Sequence, residues 1–457
     1  MPVKHLLLTC LLAFSFQTVR AIQEDAEPIV VRLATESALA PLYLSSLIKE
    51  DSQFVDPYLK QLEAILAFDF DHNGSTRVVK RTPDSDQLIS SGSFEQLGHT
   101  DEWKTRNIYY VIKGKVVGNA LNLIALDVNG QSLKNIGTIA LSGNLNEDRR
   151  HIHKASDAVH KALFGTDGIA STRILYSIKL PTPKLIADIW ESDYDGANAR
   201  SLISCGAYCI APTYLPPKPG GLSGGFMYVS YQIGQPKIYI TSLKDLVGQR
   251  LTTLKGTQLM PILSRQRDKV AFISDVTGNP DLFIQPFNPE RGILDKPYQV
   301  FAAPRATQSS PSFSPDGKQL AFVSDKDGSP RIYVIDIPTA GMQLRNVKAT
   351  LISKQNRENT APCWSPDGTK IAYCSRSRGE RQIWMYDFTT NAERQLTQGA
   401  GNKENPSWAP NSKHLVFNSS DNNSSELFLI NLNQPEATQI TSGKGEKRFP
   451  NWEPRVK

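Results

Sequence analysis

From Ile169 onward the apolar positions fall in short alternating runs separated by turn residues, the pattern of half-buried strands. The clearest spelling is Ser312 to Ile337, where Ser312-Phe313 leads into the turn Ser314-Pro315-Asp316-Gly317. A second strand, Gln319 to Ser324, ends at Asp327-Gly328-Ser329-Pro330, and a third runs from Arg331 to Ile337. Pro315 fixes φ at the second turn position, Asp316 can bond its own backbone, and Gly317 accepts a positive φ. The same sentence returns at Pro362 to Phe388 and at Pro406 to Leu432. Weaker copies centre on Leu175, Met227 and Ala271; with Ala321, Ala372 and Val416 they make six, spaced by 52, 44, 50, 51 and 44 residues. A fourth strand closes most copies, as at Val347 to Ile352, Glu393 to Leu396 and Thr438 to Ile440.

Four strands per unit without helices predict a six-bladed β-propeller over residues 169–457. The first copy lacks an opening strand, and Arg448 to Pro454 repeats one and then stops. The C-terminal strand is therefore expected to complete the first blade and close the ring, leaving no open sheet edge. Phe313, Trp364, Trp408 and Trp452 recur at equivalent places and are expected to pack between blades.

Before the repeats the period changes. Leu59, Leu62, Ile65, Leu66 and Phe70 lie near a helical spacing, as do Ile152, Ala155, Val159, Ala162 and Leu163 in a helix from Arg149 to Phe164, with Gly165 as its C-cap. Pro28 to Leu33, Asn107 to Val116, Ala120 to Val128 and Ile136 to Leu141 read as strands. Residues 22–168 are thus expected to form an α/β N-terminal domain.

Lys4 and His5 precede an apolar run, Leu6 to Phe16, and Val19-Arg20-Ala21 fits a cleavage site, so residues 1–21 read as an export signal. The run is too short to span a bilayer as a helix, and the remaining chain is expected to be soluble and exported. The formal charge is +6, about +4 once Lys4 and Arg20 are removed (6 − 2). That mild excess, spread over a long chain, is no nucleic-acid footprint.

Cys205 and Cys209 are close enough to bridge if the turn between them allows it. Centring the Cys363–Cys374 hairpin on Asp367 places Cys363 opposite Ile371, which leaves that pair unbridged. Buried structural thiols are the preferred reading for all four.

Several motifs imitate catalytic chemistry. Gly221-Leu222-Ser223-Gly224-Gly225 satisfies G-x-S-x-G, but that elbow needs a strand before it and a helix after it. Asp69, Asp71, Asn73 and Gly74 open like an EF-hand loop whose twelfth position is Lys80, where a Glu is required. His151 and His153 stand two apart on a helix, on different faces, and are expected at a solvent-facing helix start rather than on a metal. No cofactor or metal is expected. The polar connections Gln355–Thr360, Gly401–Asn405 and Lys444–Arg448 precede innermost strands and are expected to ring one mouth of the central channel.

His153 to Gly165, followed by Gly168 to Tyr176, resembles the helix and interdomain junction of the TolB family, the propeller proteins of the bacterial Tol–Pal envelope system. Leu62 to Asp69 is similar to the family's N-domain helix, and Phe449-Pro450-Asn451-Trp452-Glu453-Pro454 to its closing strand. The resemblance implies a periplasmic, non-catalytic scaffold supporting outer-membrane integrity and cell division. It implies that one propeller face binds Pal, the peptidoglycan-associated lipoprotein, and that the extreme N-terminus engages TolA; the stretch Gln23 to Glu27 here departs from the family's short apolar TolA-binding segment. The Pal-facing candidates are Arg357, Glu358, Asn359, Lys403, Glu404, Lys447 and Arg448. A monomer is expected, without nucleic-acid partners. The competing readings are a prolyl-oligopeptidase-like hydrolase, which would require a catalytic α/β domain of some 200 residues, and a small-ligand-binding propeller.

Overall fold

The computed structural model describes residues 37–421 and 424–456. The export signal, the Pro28–Leu33 strand and the Gln23–Glu27 segment lie outside them.

The N-terminal region is a five-stranded sheet carrying helices. Its strands are β1 (Ala40–Glu50), β2 (Thr76–Val78), β3 (Tyr110–Val117), β4 (Ala120–Asp127) and β5 (Ser132–Ala140), in the order β2-β1-β3-β4-β5. β1 pairs in parallel with both β2 and β3, and the rest is an antiparallel meander. Parallel pairing requires crossovers, which the helices supply. Helix α1 (Asp56–Asp71) starts at a proline in its first turn and buries Leu59, Leu62, Ile65, Leu66 and Phe70. Two short helices, α2 (Pro83–Ser91) and α3 (Thr100–Thr105), follow. Helix α4 (Leu145–Phe164) is capped by the Asn144 side chain and ends where Gly165 turns left-handed, φ 71°. Its stripe of Ile152, Ala155 and Val159 joins α1 over the sheet. The sequence pattern anticipated α1, α4 and the meander; it missed β1, β2, α2 and α3.

Six sheets then follow, built from strands consecutive in the chain except that the first sheet takes the last strand of the chain as its innermost member. The six repeat centres lie on second strands, for example Leu175 in Arg173–Lys179 and Val416 in His414–Ser420. The last strand, Glu446–Trp452, pairs antiparallel with Arg173–Lys179 in the register Trp452↔Ile174 and completes the first blade. Trp452 Nε1 donates to Thr172 Oγ1 at 2.8 Å, and Arg173 pairs with Glu453 at 2.7 Å. The ring closes through the chain's own end, as the missing strand implied. Trp364 and Trp408 are buried in separate inter-blade clusters.

Three details differ from expectation. Cys205 and Cys209 form a disulfide. Cys363 lies opposite Ala372, not Ile371, because Trp364↔Ile371 brackets an even-numbered turn; Cys363 and Cys374 are free, as expected. His153 is not at a solvent-facing helix start: it is 1% exposed, covered by the first blade.

Candidate functional site

In an antiparallel four-stranded blade the connections alternate between faces. The Ser-Pro-Asp-Gly turns therefore share one face, and the links between successive blades share the other. Alignment on Tyr214, Leu263, Phe313, Trp364, Trp408 and Trp452 superposes the six inner strands. Three residues before each of these lies a residue with positive φ that is not glycine: Ala211, Met260, Ser310, Ala361, Asn405 and Phe449, with φ of 50–55°. Each is followed by proline: Pro212, Pro261, Pro311, Pro362, Pro406 and Pro450. The ladder slips at every one of these points, so each inner strand carries a bulge. A left-handed residue is unfavourable in itself and more so before proline, by about 1 kcal/mol or more each. Six equivalent bulges thus hold strain around the channel, where they line a cavity of about 300 Å³.

Two residues before five of the six bulges stands a buried side chain that fastens the link leading into its own strand; in the fourth blade the equivalent Gln308 is also buried but turns toward Ser324 on the neighbouring strand. Gln258 Nε2 donates to the Leu254 carbonyl at 2.7 Å. Lys403 Nζ donates to the Gly399 carbonyl at 2.7 Å and also to those of Ala400 and Gly401. Lys447 Nζ reaches the Gly443 carbonyl at 2.7 Å and Glu426 at 2.9 Å. Asn359 Nδ2 donates to the Asn356 carbonyl at 2.7 Å. In the second blade this position is Cys209, bonded to Cys205 four residues earlier. The disulfide does covalently what the i to i−4 hydrogen bonds do at Gln258, Lys403 and Lys447.

The seven rim residues therefore divide. Arg357 and Glu358 are exposed, Glu358 paired with Arg376 at 2.8 Å. Glu404 pairs with Arg381, and Arg448 with Glu446 at 2.9 Å. Asn359, Lys403 and Lys447 are buried and each donates to a carbonyl of its own loop, Lys447 also to Glu426. Sequence reasoning missed the bulge ring itself. Its signal was available in the six prolines at one fixed place in each copy.

Ser223, of the G-x-S-x-G match, is 5% exposed, its hydroxyl 2.7 Å from the Leu215 carbonyl and 3.0 Å from that of Gly225. No base reaches it. Asp69, from the EF-hand-like run, accepts from Tyr194 at 2.8 Å and faces His153 Nδ1 at 2.9 Å. His153, Asp193 and Asp195 bring ligand atoms within 4.8 Å of one another. Arg149 occupies Asp195, however, Arg150 stands 3.6 Å from Asp193, and Asn198 donates to Asp193 at 2.6 Å. Burial would push the His153 pKa down, but the charges of Asp69 and Asp195 lift it to about 10. The arrangement is an ion-paired, hydrogen-bonded joint between α4 and the first blade.

No helix among the described residues is long and apolar enough to cross a membrane. A family profile described as the TolB beta propeller domain matches residues 160–456. The Protein TolB homolog of Protochlamydia amoebophila (strain UWE25) is 60% identical over 385 residues, 83% of this chain and 82% of that protein. The Protein TolB homolog of Chlamydia caviae is 41% identical over 277 residues, 60% of this chain and 63% of its own length. The crystal structure of TolB from Acinetobacter baumannii is similar in fold, with a TM-score of 0.73 at 22% identity, covering 92% of this chain and 98% of that one. By the profile match and the 60% identity, this chain belongs to the TolB family of β-propeller proteins.

Proposed function

We propose that the protein is a non-catalytic scaffold of the Tol–Pal envelope system, acting in the periplasm and binding a Pal-like lipoprotein at the channel mouth. In this reading the N-terminal segment before the described residues engages a TolA-like partner. The observation that supports the mouth as the site is its bulge ring: six strained Xaa-Pro steps around one cavity, five of them fastened from within their own loops. Backbone strain of this kind clusters where binding needs a fixed shape, and a mouth that is ordered before binding loses less entropy on association. Met260, 37% exposed on the ring, and Arg357, exposed beside it, are the apolar and charged contacts of the reading. Binding of the Pal-like lipoprotein from the same cell, measured by calorimetry, is expected to weaken at least tenfold in Met260→Asp, about 1.4 kcal/mol. Asp is at ease with a positive φ, so the ring keeps its backbone. Undiminished binding by Met260→Asp and Arg357→Glu together would remove the mouth from consideration.

A further inference from the structure

A second cavity, of about 590 Å³, lies where the end of α4 and the turn after α1 meet the Ser-Pro-Asp-Gly face of the propeller. Its size and its place at a domain junction suit a small ligand. Its lining is unusual in charge. Arg265, Lys413 and Arg455 face it, against Asp167 and Asp367. Both carboxylates are engaged elsewhere: Asp167 with Lys161 at 2.9 Å, Asp367 with Ser365, Thr369 and Lys370. Arg455 lies 3.6 Å from Asp157. Arg265 has a carbonyl for company, that of Pro366 at 3.2 Å, and no carboxylate pairs with it or with Lys413 among the described residues. Two cations thus face one cavity without a carboxylate at ion-pair distance among the described residues.

The repeat shows how this came about. In the fourth and fifth blades the turn is Ser-Pro-Asp-Gly, with Asp316 and Asp367 accepting from the backbone two residues on, at 3.0 Å in both. In the third blade the same four positions read Ser264-Arg265-Gln266-Arg267, in the sixth Ala409-Pro410-Asn411-Ser412, and in the first Arg455 takes the Asp place. Asn411 still accepts from the Lys413 N–H at 3.1 Å, so the turn is kept and its charge removed. Arg267 and Ser412 even adopt the left-handed φ, 61° and 57°, that Gly317 and Gly368 hold elsewhere. Around this cavity, in the third, sixth and first blades, the Asp position of the repeat is thus held by Gln266, Asn411 and Arg455, none of them a carboxylate.

An independent feature sits at the buried wall. His160 is 6% exposed; its Nε2 lies 3.2 Å from Thr166 Oγ1, and its Nδ1 has no hydrogen-bond partner. A buried ring nitrogen without a partner is a destabilising group unless something meets it. Burial and then the Lys413 charge hold this imidazole neutral, so Nδ1–H can be offered to an acceptor in the tautomer that receives from Thr166.

We propose that this junction cavity binds a small multivalent oxyanion, its phosphate or carboxylate groups held by Arg265 and Lys413 with His160 Nδ1–H at the inner wall. Guanidinium and ammonium groups recognise both chemistries. The site lies on the opposite face from the channel mouth and does not depend on the partner reading. Calorimetric titration of the full mature chain with pyrophosphate, and separately with citrate, tests it. Saturable one-to-one binding is expected for at least one probe in the millimolar range or below, weakening with added salt. Tighter pyrophosphate points to a phosphate ligand, tighter citrate to a carboxylate one. Lys413→Gln, at an exposed side chain, and Arg265→Gln/Lys413→Gln are each expected to weaken it, the pair by about tenfold or more, while Arg357→Glu on the other face leaves it unchanged. The absence of saturable binding with both probes, or equal binding by folded Lys413→Gln, overturns the proposal.

Discussion

On the face that carries the α/β domain, buried polar groups find partners across the domain boundary: Asp69 with Tyr194, Arg149 with Asp195, and Asn433 with the Gly74 carbonyl. On the opposite face the equivalent groups find theirs within four residues of chain, as Gln258, Lys403 and Lys447 do. One repeat has thus been finished in two ways. The first holds its geometry as long as both domains are present. The second holds its geometry alone, as the proposed partner surface would have to if binding is to lose little entropy.

The contrast can be broken most severely at Asp69. Asp69→Ala leaves the buried His153 cation and the Tyr194 hydroxyl without their acceptor. A loss of about 3–5 kcal/mol is expected, read by urea unfolding, with binding at the mouth unchanged in whatever folds. The same joint should respond to pH. The His153 pKa is raised to about 10, so its contribution is complete below its ordinary value near 6.5 and is lost as pH rises toward 10. His160, held down to about 4 by burial and then by the Lys413 charge, and His414, held down to about 3 by burial, act oppositely. Their contribution is present above pH 6.5 and declines as pH falls toward those values. Thermal midpoints are expected to fall on both sides of neutrality, and His153→Gln to flatten the alkaline limb.

On the open face the effects are smaller and local. Cys205→Ser removes a short covalent loop, for which roughly 2 kcal/mol is expected; reductant should reproduce the change in the parent protein and do nothing to the variant. Gln258→Leu, losing a hydrogen bond to the Leu254 carbonyl, should lower stability by about 1 kcal/mol and weaken partner binding more than stability. Arg357→Glu should leave unfolding within about 0.5 kcal/mol of the parent and act on binding alone.

The propeller was legible because its repeats spell the same strands and turns, and closure was legible because one strand was missing at Thr172 and spare at Trp452. What stayed hidden depends on contacts between distant parts. β1 runs through Ser45 and Ser46 and ends in Lys49-Glu50, so it lacks a clean alternation although its first half is buried between two neighbours. His153 looked exposed because helical spacing cannot show that a blade covers the helix. Lys403 and Lys447 looked like rim charges because lysine is ordinarily solvated. Their burial follows from loop carbonyls that the fold alone brings together. The disulfide hid for a similar reason: only superposing the six inner strands shows Cys209 standing where other blades place a tether.

The central claim is that the mouth, and not the domain-covered face, receives the protein partner. The most direct measurement is calorimetric titration of the Pal-like lipoprotein into the mature parent chain, into Met260→Asp, and into Lys413→Gln from the covered face. The account predicts tight binding by the parent and by Lys413→Gln, and at least a tenfold loss, about 1.4 kcal/mol, in Met260→Asp. Equal affinity in Met260→Asp, or a loss confined to Lys413→Gln, would contradict it.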